Sequence, residues 1–231
     1  MGAGAEKMKT KSLLIVFFIF TLSACAPATK TAIADRNVFY AGGNNGVKTA
    51  LLKAGYILVD DFDIAEVFVL NGEIPDVNLI ASKLEDGAGL VLIAGEEMSF
   101  REVEVLFRYP VTGMGLIGNS ATLVADEVYG KGDPLITEID WNDAPQIRER
   151  AVILTSAPGK QFVRIDGFAE VFLGAIGQDS ERKFAIDAFL DEQHNLQFQE
   201  WKYFNYLIYH LVERAAGSEP MSYADYSKVS K

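Results

Sequence analysis

Two short, uninterrupted apolar runs, at residues 67–70 and 89–93, constrain the fold most strongly. Runs of this kind are typical of strands in a parallel sheet whose two faces are both covered by helices. Helical patterns occupy residues 47–54 and 76–85, and each is followed by a glycine-containing turn. Strands that alternate with helices in this way predict an α/β domain of three layers, a mainly parallel sheet with flanking helices.

The second half of the chain is richer in strand patterns than in helical ones. A closing helix is predicted over residues 198–215, where apolar and aromatic residues recur at helical spacing. On it we expect Tyr203, Tyr206 and His210 to lie nearer solvent, so that its aromatic residues either complete the core or contribute to a protein interface. The polar residues 217–231 are expected to be extended. The other predicted elements are strands at 37–40, 56–59, 114–117, 122–124, 151–154, 161–165 and 171–176 and a helix at 100–107.

The chain contains one cysteine, Cys25, at the end of an apolar stretch. A basic segment with three lysines precedes the apolar residues 13–22, a pattern typical of a secretory signal. This stretch is shorter than the roughly 20 residues that span a bilayer as a helix. Residues 22–25, Leu-Ser-Ala-Cys, resemble the bacterial lipobox, in which the cysteine is acylated and becomes the first residue of the mature protein. There are two alternatives to the lipobox: an ordinary signal peptide with a coincidental cysteine, and a short membrane anchor.

The lipobox interpretation predicts how the chain is divided and where it is located. Translation starts at Met1 or Met8. We expect export and anchoring to the membrane through the N-terminal lipid, at the outer membrane if the source has one and otherwise at the outer face of the cytoplasmic membrane. The predicted segments are a signal peptide (1–24), a lipid-attached flexible tether (25–36), an α/β domain (37–217) and a polar C-terminal tail (218–231).

The charge balance excludes some classes of partner. The formal net charge is −11, and binding to nucleic acid or docking on anionic lipid requires clustered Lys and Arg. Because there is no second cysteine, the fold cannot rely on internal disulfides. We therefore expect a protein partner in the envelope, no nucleic acid, and stability that comes from packing.

Several segments resemble the class I glutamine amidotransferase-like superfamily, especially its non-catalytic branch in bacterial envelope proteins. They are residues 63–72, 84–95, 99–100 and 109–111, within a resemblance that spans roughly 37–217. The resemblance implies a flavodoxin-like fold. Catalytic members carry a nucleophilic cysteine on the turn after the strand that resembles residues 89–93, and here that turn is Ala-Gly-Glu-Glu, residues 94–97. Glutamine hydrolysis is therefore excluded, because it requires a thiolate.

Other chemistry has weaker support in the sequence. The loop at residues 42–46, Gly-Gly-Asn-Asn-Gly, could cradle a phosphate at a helix N-terminus, or form a tight turn in which Gly and Asn take positive φ. The spacing favours the turn, since it matches neither the P-loop nor the dinucleotide motif. Acidic residues in the range 60–66 could hold Ca²⁺ or Mg²⁺, but their spacing is not that of an EF-hand. We expect no metal and no cofactor.

In open α/β sheets, ligands bind at the carboxyl ends of the parallel strands. The loops predicted there, residues 41–46, 71–74 and 94–98, are called the rim. The leading hypothesis is a non-enzymatic protein that binds a protein partner or small ligand at the rim. The alternatives are a hydrolase that uses rim carboxylates, favoured if Glu96 or Glu97 is buried beside another carboxylate, and a structural subunit of a surface assembly. The candidate rim residues are Gly42, Gly43, Asn44, Asn45, Asn71, Glu73, Glu96 and Glu97.

Overall fold

The computed structural model describes residues 35–168, 170–177 and 182–230. The predicted signal peptide, Cys25 and nearly all of the predicted tether lie outside these ranges. Within them, no helix is both long and apolar enough to cross a membrane. The elements are β1 (Asn37–Ala41), α1 (Gly46–Ala54), β2 (Ile57–Val59), β3 (Val67–Asn71), α2 (Val77–Glu85), β4 (Gly89–Ile93), α3 (Phe100–Phe107), β5 (Val111–Ile117), β6 (Leu123–Ala125), α4 (Pro134–Thr137), β7 (Arg150–Thr155), β8 (Gly159–Ile165), β9 (Val171–Ile176), β10 (Lys183–Ile186), α5 (Leu196–Gln199), α6 (Phe204–Ala215) and α7 (Tyr223–Val229).

The main sheet has eight strands in the order β2-β1-β3-β4-β10-β9-β8-β6. The first five are mutually parallel, and β9, β8 and β6 continue the sheet with antiparallel pairings. A separate antiparallel ribbon is formed by β5 and β7. The predicted three-layer α/β architecture with a mainly parallel sheet is confirmed.

Both faces of β3 and β4 are fully buried, as their apolar sequences predict. Successive side chains of a strand point to opposite faces. Val69 and Val91 therefore belong to the core beneath α1 and α6, whereas Phe68 and Leu92 belong to the core beneath α2 and α3. The two helix layers and the sheet between them thus bury two separate clusters of apolar side chains, which supply the main driving force for folding.

The C-terminal part of the chain differs from the prediction. The predicted closing helix is split, because α5 ends at Gln199 and α6 begins only at Phe204. The tail is not extended: residues 223–229 form α7, capped by Ser222, whose side chain accepts a hydrogen bond from Asp225 N–H. The rings of Tyr226 and Tyr209 stack with centroids 4.9 Å apart, so aromatic packing fixes α7 on α6.

The aromatic residues of α6 are more buried than predicted. Tyr206 is 1% exposed and His210 is fully buried, so the expectation that both lie nearer solvent is wrong. Tyr203 is half-buried. The physical reason is the tail: Tyr223 packs against Tyr206 with ring centroids 5.2 Å apart and covers a helix face that would otherwise be open. These aromatic side chains therefore belong to the core.

Candidate functional site

The structure brings the predicted rim loops together at one edge of the sheet. β1, β3, β4 and β10 are parallel, so the loops that follow them all emerge at their carboxyl ends. The loop after β10, residues 187–195, joins the rim, although the sequence analysis did not identify it. The first turn requires glycine at Gly42, where φ is +141° and a Cβ would lie 2.8 Å from the carbonyl oxygen of Asn71.

The loop at residues 42–46 is a turn and helix cap whose amide groups are already engaged. The Asn45 side chain caps α1 by accepting hydrogen bonds from the N–H groups of Val47 and Lys48. The Asn44 N–H donates to the Glu192 carboxylate (3.2 Å), and the Gly46 N–H donates to Gln199 Oε1 (2.9 Å). Because side chains of this protein occupy the positions that a phosphate would take, the arrangement favours the turn interpretation.

One detail of that turn prediction is wrong. Asn44 and Asn45 do not have positive φ, since Asn45 is extended at φ −132° and, among the described residues, positive φ outside glycine occurs at Arg108 and Asn195. Within residues 42–46, positive φ occurs at Gly42 and not at Gly43. Asn45 takes the backbone of an N-cap because its side chain serves the helix amides.

Asn71 holds two parts of the rim together. Its Nδ2 donates to the carbonyl oxygen of Leu190 at 2.9 Å and lies 3.4 Å from Tyr40 Oη. The Tyr40 hydroxyl donates to the carbonyl oxygen of Gly43 at 2.9 Å, and burial raises the pKa of this phenol. Asn71 is therefore a positioning residue that connects β3 to the loop after β10.

The glutamates of the rim are exposed. Glu73, Glu96 and Glu97 all reach solvent, and neither Glu96 nor Glu97 is buried beside a second carboxylate. This is the arrangement that disfavours a hydrolase built on these two residues. Asp191 and Glu192 add further carboxylates from the loop after β10. The rim therefore presents several acidic side chains to solvent.

The carboxylates around the rim raise the pKa of His194. Its Nδ1 lies 2.7 Å from Asp191 Oδ2, and this hydrogen bond raises the pKa of His194, with further contributions from the charges of Glu149 and Glu96. A protonated His194 paired with Asp191 offsets one negative charge within an otherwise acidic surface.

A buried carboxyl near the rim was missed by the sequence analysis. Asp187 directly follows β10, is 7% exposed, and accepts a hydrogen bond from the Ile153 N–H at 3.2 Å. Burial raises its pKa well above the usual range. It lines a cavity of about 340 Å³ between the β5–β7 ribbon and the sheet, together with Glu170, whose carboxylate pairs with the buried Arg150. A single polar residue after the apolar residues 184–186 was the available signal.

Comparison with known proteins gives a similarity in fold to a solved structure. No family model matches this chain, and no curated protein matches it. A solved structure, the cytoplasmic protein STM1381 from Salmonella typhimurium LT2, is similar with a TM-score of 0.57 at 11% sequence identity. The match covers 75% of this chain and 96% of that chain. The fold is shared. At this identity the likeness shows the fold alone.

Two of the four acidic residues in the range 60–66 form ion pairs with basic side chains of neighbouring segments. Asp63 binds Lys83 at 2.6 Å, and Glu66 binds Arg36 at 2.9 Å. In the described ranges, no group of three or more His, Cys, Asp or Glu side chains is arranged to hold a metal ion. The carboxylates of this segment therefore connect neighbouring elements of the fold.

Replacing Asp191 by Asn is expected to lower the pKa of His194 towards its ordinary value, because the hydrogen bond that His194 donates to the Asp191 carboxylate is the main cause of the rise. Since the folded pKa exceeds the unfolded value of about 6.5, protonated His194 stabilises the fold. That stabilisation is complete below the unfolded pKa and is lost as the pH rises through the folded pKa. NMR titration of the imidazole measures the pKa of His194. Glu192→Gln, which replaces another carboxylate of the same loop by a neutral amide, should leave the pKa of His194 at the parent's value. Equal shifts in both variants would contradict the pairing.

Proposed function

We propose that this protein is a lipid-anchored, non-enzymatic protein of the bacterial cell envelope, and that its α/β domain binds a basic segment of a protein partner at the rim. One observation carries the proposal: exposed acidic side chains, Glu73, Glu96, Glu97 and Glu192, occupy loops that the parallel strands bring to one edge. Complementary charge steers a basic partner to such a surface and fixes its orientation.

The raised pKa of His194 supports this choice of partner. The shift comes from carboxylates on three separate segments, which contribute Asp191, Glu149 and Glu96. A surface that stabilises the positive charge of one imidazolium favours Lys and Arg side chains of a partner for the same electrostatic reason. The net charge of −11 acts in the same direction at longer range.

The turn after β4 supports a non-enzymatic role. In the resemblance to class I glutamine amidotransferases, residues 94–97 correspond to the turn on which the catalytic members carry their cysteine. The described part of this chain contains no thiol. Glu96 and Glu97 lie on the surface instead of in a closed cleft. General acid–base catalysis by a carboxyl group relies on burial or on a neighbouring acid, and neither is found at Glu96 and Glu97.

The chain enters the domain at the side opposite to the rim. Asn37 begins β1, and the rim follows the other end of that strand. A lipid at Cys25 would be connected to the domain through the residues that precede β1. We include the lipid anchor in the proposal on the basis of the N-terminal sequence.

Reversing three rim charges is expected to abolish partner capture. The variant Glu73→Lys/Glu96→Lys/Glu97→Lys, expressed as the full chain in its own envelope, should lose at least about tenfold of the yield of cross-linked partner, equivalent to about 1.4 kcal/mol. Mass spectrometry after chemical cross-linking measures the yield. Cys25→Ser should abolish the incorporation of labelled fatty acid into the protein, because the acyl chains are attached at this cysteine.

The matched control reverses three exposed acids at the opposite edge of the sheet, Asp35→Lys/Asp86→Lys/Glu127→Lys. This variant carries the same net charge, so a loss caused by overall charge would appear in both variants. Capture that survives rim reversal, or is lost equally in the control, would refute rim binding. Incorporation of labelled fatty acid into Cys25→Ser to the same extent as into the parent would refute the lipid anchor without affecting the proposal about the rim.

A further inference from the structure

A cavity lies between the ribbon of β5 and β7 and the face of the main sheet that β8, β9 and β10 form. Its volume is about 340 Å³, which is within the range of about 300–1,000 Å³ that is typical of small-molecule sites. Gly174 of β9 and Ala185 of β10 are paired in register, and both line it. Because neither residue has a side chain larger than a methyl group, the sheet and the ribbon leave space between them.

Asp187 directs its carboxyl group from the sheet towards the ribbon. The residue follows β10, lines the cavity and is 7% exposed. Its Oδ2 accepts a hydrogen bond at 3.2 Å from the N–H of Ile153, a β7 residue that lines the same cavity. Its Oδ1 has no hydrogen-bond partner among the described residues, and it is not one of the side-chain atoms that the fold encloses without a partner. Oδ1 therefore keeps accessible surface, and the cavity is the space that Asp187 lines.

Burial makes Asp187 an uncharged hydrogen-bond donor. It raises the pKa of the carboxyl group well above the usual range, and the charge of Glu170 acts in the same direction. The protonated form is therefore favoured. Oδ2 accepts from the Ile153 N–H, as a carbonyl oxygen does, so the proton is carried by Oδ1. A carboxylic acid that is kept neutral in this way can donate a hydrogen bond to a ligand.

Glu170 offers the complementary acceptor. It immediately precedes β9 and lines the cavity. The buried Arg150 donates from Nε and Nη2 to the same carboxylate oxygen, Oε2, with both distances 3.3 Å. Oε1 has no hydrogen-bond partner among the described residues, so it can accept from a ligand. Because Arg150 balances the charge of Glu170, the pair contributes no net charge to the cavity.

Lys160 is the other charged residue that lines the cavity, and its side chain leaves β8 on the opposite face of the sheet. In register, Gln161 pairs with Gly174 and Lys160 pairs with Ala175. Neighbouring side chains of a strand point to opposite faces. Gln161 therefore lies on the cavity face with Gly174, whereas Lys160 lies on the face of Ala175, which belongs to the core beneath α1 and α6. The charges around the cavity thus favour a ligand without net charge.

We propose that this cavity binds a small, uncharged secondary amide, with the amide carbonyl oxygen accepting from Asp187 Oδ1–H and the amide N–H donating to Glu170 Oε1. A secondary amide has one carbonyl group and one N–H, which match the one donor and the one acceptor that these two side chains offer. Apolar substituents of the ligand contact the apolar lining, which includes Val152, Val171 and Ile176. None of the rim glutamates that carry the proposed function lines this cavity, so the two proposals are independent.

N-methylbenzamide is the probe, and methyl benzoate and benzoate differ from it only at the amide group. Methyl benzoate has the carbonyl group but no N–H, and benzoate is charged. Isothermal titration calorimetry with the full chain should give saturable binding of the amide, about tenfold weaker binding of methyl benzoate, and no saturable binding of benzoate. Equal affinity for the amide and either analogue, or no binding of the amide, would overturn the proposal.

Two substitutions at Asp187 test whether the ligand needs a neutral donor there. Asp187→Asn keeps an acceptor for the Ile153 N–H and an N–H donor for the ligand, so it should bind N-methylbenzamide within about twofold of the parent. Asp187→Leu has neither group and should bind about tenfold more weakly. Asp60→Leu, the same change at an exposed position after the edge strand β2, is the matched control and should bind as the parent does. If Asp187→Leu fails to fold, Asp187→Asn still decides: a loss of about tenfold in that variant would overturn the site.

Discussion

Replacing Gly89 by alanine is expected to destabilise the fold by about 3 kcal/mol. Gly89 begins β4, and a Cβ placed on it would lie 2.1 Å from the carbonyl oxygen of Ala215 and 2.4 Å from its carbonyl carbon. Both atoms belong to the backbone at the end of α6, and Ala215 is fully buried. Because interiors are close-packed, helix and strand cannot separate without opening the core. Urea unfolding followed by circular dichroism measures the loss.

The control for Gly89 is Gly118→Ala. Gly118 is exposed, its φ lies outside the left-handed region, and a Cβ there meets no atom within 4 Å. We expect its free energy of unfolding to change by no more than about 0.5 kcal/mol. If both variants unfold at the same urea concentration as the parent, the close approach of β4 and α6 does not contribute to stability.

Replacing Phe198 by alanine is expected to cost about 4 kcal/mol, within the range for a fully buried aromatic side chain. The ring is completely buried and contacts Trp201 and Phe172, both with centroids 5.5 Å away. It also anchors α5, whose next residue, Gln199, donates to the carbonyl oxygens of Asp191 and His194 in the rim. The variant should therefore unfold at lower urea concentration and show faster amide exchange in residues 191–194.

Leu196→Ala provides the comparison for Phe198, since Leu196 lies on the same helix but is 49% exposed. The expected loss there is below about 1 kcal/mol, because little apolar surface returns to water. Comparable losses in the two variants would show that the buried ring does not hold α5 in place. Faster exchange at 191–194 in Leu196→Ala alone would contradict the proposed connection to the rim.

The parallel part of the sheet could be predicted from the sequence because its signals are local. The apolar runs that became β3 and β4 require cover on both faces, and the caps at Asn45 and Ser99 are formed by residues next to their own helices. The same rule located the rim, since parallel strands deliver their following loops to one edge. No distant contact was needed for these inferences.

Neither β10 nor the packing of the C-terminal residues against α6 could be predicted in this way. Residues 183–186 are too short a run to distinguish a strand from a helix, and their place between β4 and β9 depends on strands far away in the sequence. With β10 missed, the acidic residues after it were missed as rim residues. Likewise, helical spacing does not reveal how many faces of α6 are covered, and the contacts of Tyr223 and Tyr226 decide that.

The position of β10 has a consequence for how the chain assembles. It is the last strand to be synthesised, yet it joins the parallel strands to the antiparallel ones by pairing with β4 on one side and β9 on the other. Until it is in place, β4 keeps an open edge, and contacts so distant in sequence form slowly. The parallel half of the sheet therefore keeps an aggregation-prone edge while the roughly ninety residues between β4 and β10 are being synthesised.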